Sequence, residues 1–177
     1  GSQGDYSAVS VFDVSSWEEV ASIEGRLQPT ELHAILAQAT QVYRQAGKNR
    51  GNTVVIESNA AALLGIAINE DLYDVWYQTH KSGRTEPGWR ATTKSIQEAE
   101  GDMEVALNSQ DIKINSLTGI QQLINFDGKN RDRRITKGKN TSHFDLARTY
   151  IIAAWALTRL HWPRHLTDSE LHDRLKI

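Results

Sequence analysis

Thr53-Val54-Val55-Ile56-Glu57-Ser58-Asn59 is the stretch on which the fold turns. Its β-branched run, Thr53 to Ile56, reads as a short strand of the kind buried on both faces of a sheet, and Glu57 ends it. A carboxylate directly after such a strand sits at the carboxyl edge of the sheet, where open α/β sheets bind their ligands. Taken alone, Glu57 reads equally as a strand-end residue facing water.

Upstream, Tyr6 to Val14 is rich in β-branched and aromatic residues, and the pattern resumes after Ser15-Ser16 through Val20, Ile23 and Leu27, which predicts a hairpin. Gln28-Pro29-Thr30 starts a helix whose apolar residues Leu32, Ile35, Leu36, Ala39, Val42 and Tyr43 follow at helical spacing as far as Gly47. Downstream, the patterns predict a helix over 60–69, a strand over 75–78, and a loop over 81–88 punctuated by Gly83, Pro87 and Gly88. A helix over 95–107, an alternating strand over 111–114, a short helix over 116–126 and a long apolar helix over 144–160 complete the series, with a polar tail over 163–177. Strands alternating with helices, opened by a hairpin, predict an α/β domain with a mixed sheet.

The chain has 177 residues, enough for one ordinary domain, and a net charge of −2 argues against a protein that coats nucleic acid wholesale. The absence of cysteine excludes a disulfide scaffold and thiolate metal sites, so any metal is held by oxygen or imidazole. The most apolar stretch, 146–160, carries Arg148 and Arg159 and reads as a buried helix of a soluble protein, not a membrane span. Gly1-Ser2 resembles a cloning scar, so the chain reads as an excised fragment of something longer. No phosphate-binding loop motif for ATP occurs.

Two further features bear on chemistry. Asp145 opens the helix over 144–160, and a carboxylate there and at Glu57 would suit a divalent cation used for phosphodiester hydrolysis. Ser142-x-x-Asp145 is also a helix-capping pattern, and the helix dipole favours an acid in the first turn whatever its role. The segment 127–139 holds Lys129, Arg131, Arg133, Arg134, Lys137 and Lys139 and carries +4, against −6 for the remainder. It reads as a solvated loop or as a grip on phosphates. His161 and His165 have the spacing of helical zinc ligands, but Pro163 between them breaks the helix that would align them.

Together these segments resemble the nuclease domain of tailed-bacteriophage large terminases, from Gly4 to about Trp162. Gly4-Asp5-Tyr6-Ser7-Ala8-Val9 with Phe12-Asp13-Val14 is similar to the family's G-x-D-Y-x-A strand opening, and Val55-Ile56-Glu57-Ser58-Asn59 to its strand ending in Glu followed by Asn. Gly88-Trp89 with Thr92-Thr93-Lys94 is similar to the segment before its third helix, and Ser142-His143-Phe144-Asp145-Leu146 to its His-Asp-Asp-Leu. The resemblance implies a ribonuclease H-like fold over 4–162. It also implies an endonuclease that cuts concatemeric double-stranded DNA during genome packaging, with two Mg2+ or Mn2+ ions held by carboxylates in the intact site. It makes Glu57 and Asp145 metal-binding acids, Asp5 a further catalytic candidate, and Lys94 with the basic segment a DNA-binding set. The implied partners are an ATPase motor domain, a small terminase subunit and a portal, and the implied location is the host cytoplasm.

The family's first strand, with its metal-binding Asp, has no counterpart here, and Phe144 stands where the family has the first Asp of a pair. That strand lies centrally, and a gap of roughly 9.6 Å, two spacings of ~4.8 Å, cannot stay open in a packed core. Either its neighbours close up, another molecule donates a strand, or residues upstream supply it. A catalytically silent DNA- or portal-binding module and another ribonuclease H-like enzyme, such as a resolvase or transposase, are the alternative readings. If the basic segment grips phosphates, reversing Arg133 and Arg134 to Glu weakens duplex binding mainly at low salt, because phosphate contacts release counterions. Filter binding across a salt series measures this, and unchanged affinity at low salt would contradict it.

Overall fold

The periodicities of the sequence become, in order, β1 (Ser7–Asp13), β2 (Glu18–Gly25), α1 (Pro29–Ala46), β3 (Thr53–Val54), α2 (Ala61–Glu70), β4 (Asp74–Val75), β5 (Tyr77–Thr79), β6 (Thr85–Pro87), α3 (Thr93–Asn108), α4 (Leu117–Asn125) and α5 (Asp145–Arg159). The structure is a computed structural model that describes residues 6–46, 52–79, 83–126 and 144–159. The class is mixed α/β, as expected. Its described strands pair two by two, β1 with β2, β3 with β4 and β5 with β6, where the sequence predicts one mixed sheet. The polar tail over 163–177 lies outside the described residues.

The chain divides into two compact units, Gly25–Glu98 with the residues through Ser7, and Ala8–Glu24 with Ala99–Ile177. In the first unit α1 packs on α2, and Leu32, Leu36, Leu63, Leu64 and Ala67 are buried. His33 is buried as well, with Nδ1 2.9 Å from the Tyr73 hydroxyl and Nε2 3.0 Å from the Glu70 carboxylate, which ties α1 to the end of α2. Burial, and secondarily the Glu70 charge, push the Tyr73 hydroxyl up to about 12, so Tyr73 is a neutral strut.

The strand predicted over 75–78 is divided at Trp76, and a hydrogen-bond exchange explains why. β3 and β4 are parallel, and the Trp76 N–H continues the pairing by donating to the Val54 carbonyl at 2.9 Å. The chain then leaves as the antiparallel hairpin β5–β6 and returns at Gly88, whose N–H donates to the Trp76 carbonyl at 2.8 Å. The loop predicted over 81–88 therefore contains β6, whose Pro87 pairs with Tyr77. The run over 53–56 is also less enclosed than expected: Ile56 is buried, while Thr53, Val54 and Val55 are half-buried.

In the second unit a turn over 14–17 joins β1 to β2, and so short a connection makes the pair antiparallel. The strand predicted over 111–114 is a single bridge between Lys113 and Glu18. Lys113 donates to the Trp17 carbonyl at 3.0 Å and accepts from the Glu19 N–H at 2.8 Å. The next N–H groups, of Asn115 and Ser116, go instead to the Glu19 carboxylate, each at 2.8 Å, which ends the ladder.

That carboxylate is the polar centre of the unit. Glu19 is only 2% exposed, and its other oxygen accepts from the Tyr150 hydroxyl of α5 at 2.8 Å. Burial opposes ionisation of Glu19, but the Ser116 N–H, the Tyr150 hydroxyl, Ser22 and the Asn115 N–H outweigh it and hold the carboxyl below the ordinary carboxylate value. Burial and the bond to Glu19 push Tyr150 up to about 12, so it stays the donor. Gly119 of α4 admits that hydroxyl, since a Cβ there would lie 2.1 Å from the Tyr150 oxygen. Around this centre α5 buries Leu146, Ala147, Tyr150, Ile151, Ala154, Trp155, Ala156 and Leu157, the apolar face that the sequence predicts.

Two outcomes are expected. Gly119→Ala forces Tyr150 off Glu19 and costs roughly 1.5–3 kcal/mol, because a buried carboxylate loses a neutral donor; urea unfolding measures it, and an unchanged midpoint contradicts it. Glu19 stabilises the fold fully above the unfolded value of 4.5, and this is lost as pH falls through its lower folded value. Glu19→Gln should therefore flatten the acid limb of the stability curve below the unfolded value of 4.5, and an acid limb as steep as the parent's contradicts it.

Candidate active site

Glu57 follows the parallel strand at its carboxyl end, and three backbone bonds fix it there. The Trp89 N–H donates to the Ile56 carbonyl at 2.7 Å, the Ser58 N–H to the Trp89 carbonyl at 2.8 Å, and the Ala60 N–H to the Glu57 carbonyl at 2.9 Å. The first two form a parallel bridge between Glu57 and Trp89; the third closes the turn that leads into α2. Trp89 is 1% exposed and anchors this arrangement in the core of its unit. The Glu57 side chain is half-buried, and Asn59 Nδ2 donates to its Oε1 at 3.2 Å, which orients the carboxylate. β3–α2–β4 is thus a parallel crossover; β3 stops at Val54, shorter than the run predicted over 53–56, and the acid stands three residues beyond it on the separate bridge to Trp89.

Gly88 makes the bridge possible. Its φ of +79° turns the chain back from the hairpin, and a Cβ there would lie 2.6 Å from the Ile56 carbonyl oxygen. The sequence marks Gly88-Trp89 as a motif; the close approach to Ile56 is its physical reason. Thr92 has a local reason too. It precedes α3 and exchanges bonds with Ser95, whose N–H donates to Thr92 Oγ1 at 3.1 Å while the Thr92 N–H donates to Ser95 Oγ at 2.8 Å. Lys94, in the first turn of α3, is exposed and lies 3.8 Å from Glu98, a surface pair of small energy that leaves its ammonium open to solvent.

Asp145 is half-buried in the first turn of α5. The N–H groups of the next two residues, Leu146 and Ala147, both donate to Gln122 Oε1 of α4, at 2.9 and 3.2 Å. Gln122 Nε2 in turn donates to both carboxylate oxygens of Glu24 on β2, at 2.8 and 2.9 Å. Phe144 meets Phe126 edge-on with centroids 5.9 Å apart. Its role here is packing between the end of α4 and the start of α5.

Glu57 and Asp145 belong to different units, and each is described within its own. Among the described residues no three His, Asp or Glu side chains are grouped closely enough to hold a metal ion between them. Asp5, Lys129, Arg131, Arg133, Arg134, Lys137 and Lys139 lie outside the described residues, as do Ser142 and His143. Gln122 and Glu24 are the polar residues at α5 that sequence reasoning misses. A glutamine on an uncharged helix gives no signal of a bond to a helix start more than twenty residues on.

Replacing Gly88 by Ala should both strain the left-handed backbone and push Trp89 from Ile56, at a cost of more than about 2 kcal/mol. Urea unfolding gives the cost, and loss of slow exchange at the Trp89 amide gives the cause. A variant as stable as the parent, with Trp89 still protected, would contradict the role assigned to Gly88.

No protein-family model matches the chain, and a search of curated proteins gives no match.

Proposed function

We propose that the chain is a metal-dependent DNA endonuclease domain with a ribonuclease H-like fold, of the kind that large terminases use to cut concatemeric double-stranded DNA during phage genome packaging. The observation that carries this reading is Glu57, an acid held at the carboxyl end of a parallel strand by Trp89 and oriented by Asn59. Asp145, in the first turn of α5, is the second acid. The four sequence segments that resemble the terminase family supply the substrate class.

The donor chemistry fits a hard divalent cation. Carboxylate oxygens suit Mg2+ or Mn2+, and such ions take one or two carboxylates from the protein and the rest of their ligands from phosphate and water. When bound, the ion supplies an activated water and offsets charge on the leaving oxygen. The chain's own contribution is positional. Asn59 donates to one carboxylate oxygen of Glu57, and the Ala60 N–H closes the turn into α2 on the Glu57 carbonyl. Lys94, with the basic segment over 127–139, supplies positive charge for the duplex backbone.

The test is nicking of supercoiled plasmid with Mn2+. The expected result is cutting by the parent that falls by more than about 100-fold in Glu57→Ala and Asp145→Ala, since even outer-shell partners of a metal are worth roughly 10–100-fold. Circular dichroism confirms that the variants fold. No cutting by the parent, or equal cutting by Glu57→Ala, overturns the proposal, and duplex binding without cutting would identify a silent binding module.

A further inference from the structure

The start of α5 is held from outside its own segment. A helix leaves its first N–H groups unpaired, and a side chain just before the helix is the usual acceptor. Here the residue immediately before α5 is Phe144, which has no acceptor, and the Leu146 and Ala147 N–H groups converge on one oxygen of Gln122. Only an oxygen accepts two such donors, so the orientation of the amide is fixed and its Nε2 must face Glu24, where it meets both carboxylate oxygens. Glu24 itself is anchored by β2, and α4 by the Glu19 carboxylate at Ser116. The contact between Phe126 and Phe144 is the apolar half of the same clamp.

From this geometry we infer that Gln122 is a positioning residue for Asp145. Its amide transmits the fixed location of Glu24 to the first turn of α5, and so sets where the Asp145 carboxylate stands. The inference rests on the reading of Asp145 as a cation ligand. It goes beyond that reading by assigning the residue pair that places the ligand, which lies next in sequence to the Leu146 N–H that Gln122 accepts from.

A donor–acceptor exchange provides the experiment. Gln122→Met keeps length and removes both bonds. Combining Gln122→Glu with Glu24→Gln keeps an oxygen that accepts from the Leu146 and Ala147 N–H groups and lets the amide introduced at position 24 donate back across the pair, with the charge of the Glu–Gln pair conserved. Mn2+ affinity is measured by calorimetry on each folded protein, alongside hydrogen exchange at the Leu146 and Ala147 amides, with Asp145→Asn as reference.

The expected result is that Gln122→Met weakens Mn2+ binding by about tenfold or more, with faster exchange at both amides, and that the exchanged pair, which keeps the acceptor for α5, stays close to the parent in both. A merely structural glutamine would lower stability and leave the affinity of the folded protein unchanged. Parent-like affinity in Gln122→Met, or an exchanged pair that binds as weakly as Gln122→Met, overturns the inference and leaves the nuclease reading standing. A parent that binds no Mn2+, or binds it equally with Asp145→Asn, overturns the assignment of Asp145 and this inference with it.

Discussion

The buried carboxylate of Glu19 is the constraint on which its unit is built. A charge taken out of water costs several kcal/mol unless every lone pair is met, and here four separate donors meet it: the N–H groups of Asn115 and Ser116, the Tyr150 hydroxyl and Ser22. Those donors come from β2, the start of α4 and the middle of α5, so satisfying one acid fixes three elements. Gly119 is a glycine because the Tyr150 hydroxyl needs its space. Lys113 makes only one bridge because the next N–H groups belong to Glu19. With α4 and α5 placed in this way, Gln122 comes to face both Glu24 and the first turn of α5.

In the other unit the same logic is carried by backbone. Trp89 fills the core while its N–H and carbonyl bracket Glu57 in a parallel bridge, and Gly88 gives the chain room to arrive there after the β5–β6 hairpin. The consequence is an acid that is held at its α-carbon by the sheet and at its carboxylate by Asn59. Two acids, one oriented by a backbone bridge and the other by a remote amide, are the features from which the nuclease proposal is drawn.

Three helices were legible in the sequence because each buries a periodic apolar face: α1, α2 and α5 follow the spacing of Leu32, Leu63 and Leu146 with their successors. Strand limits were not, because they depend on which remote carbonyl takes each N–H. The run over 75–78 changes partner at Trp76, and the run over 111–114 loses its ladder to a carboxylate, and neither event leaves a mark on local pattern. Glu57 was legible because a charge after a β-branched run stands out, and Gly88-Trp89 was legible as a pair though not in its purpose. Gln122 and Glu24 were invisible, since their meaning is in an amide orientation that only the fold defines.

The most direct measurement of the central claim is a titration of isotope-labelled protein with substoichiometric Mn2+, following paramagnetic broadening of backbone amide signals. The account predicts that Glu57, Ser58, Asp145 and Leu146 broaden first, ahead of residues around the exposed acids Glu98 and Glu104. Broadening that follows surface acids generally and spares Glu57 and Asp145 would contradict it.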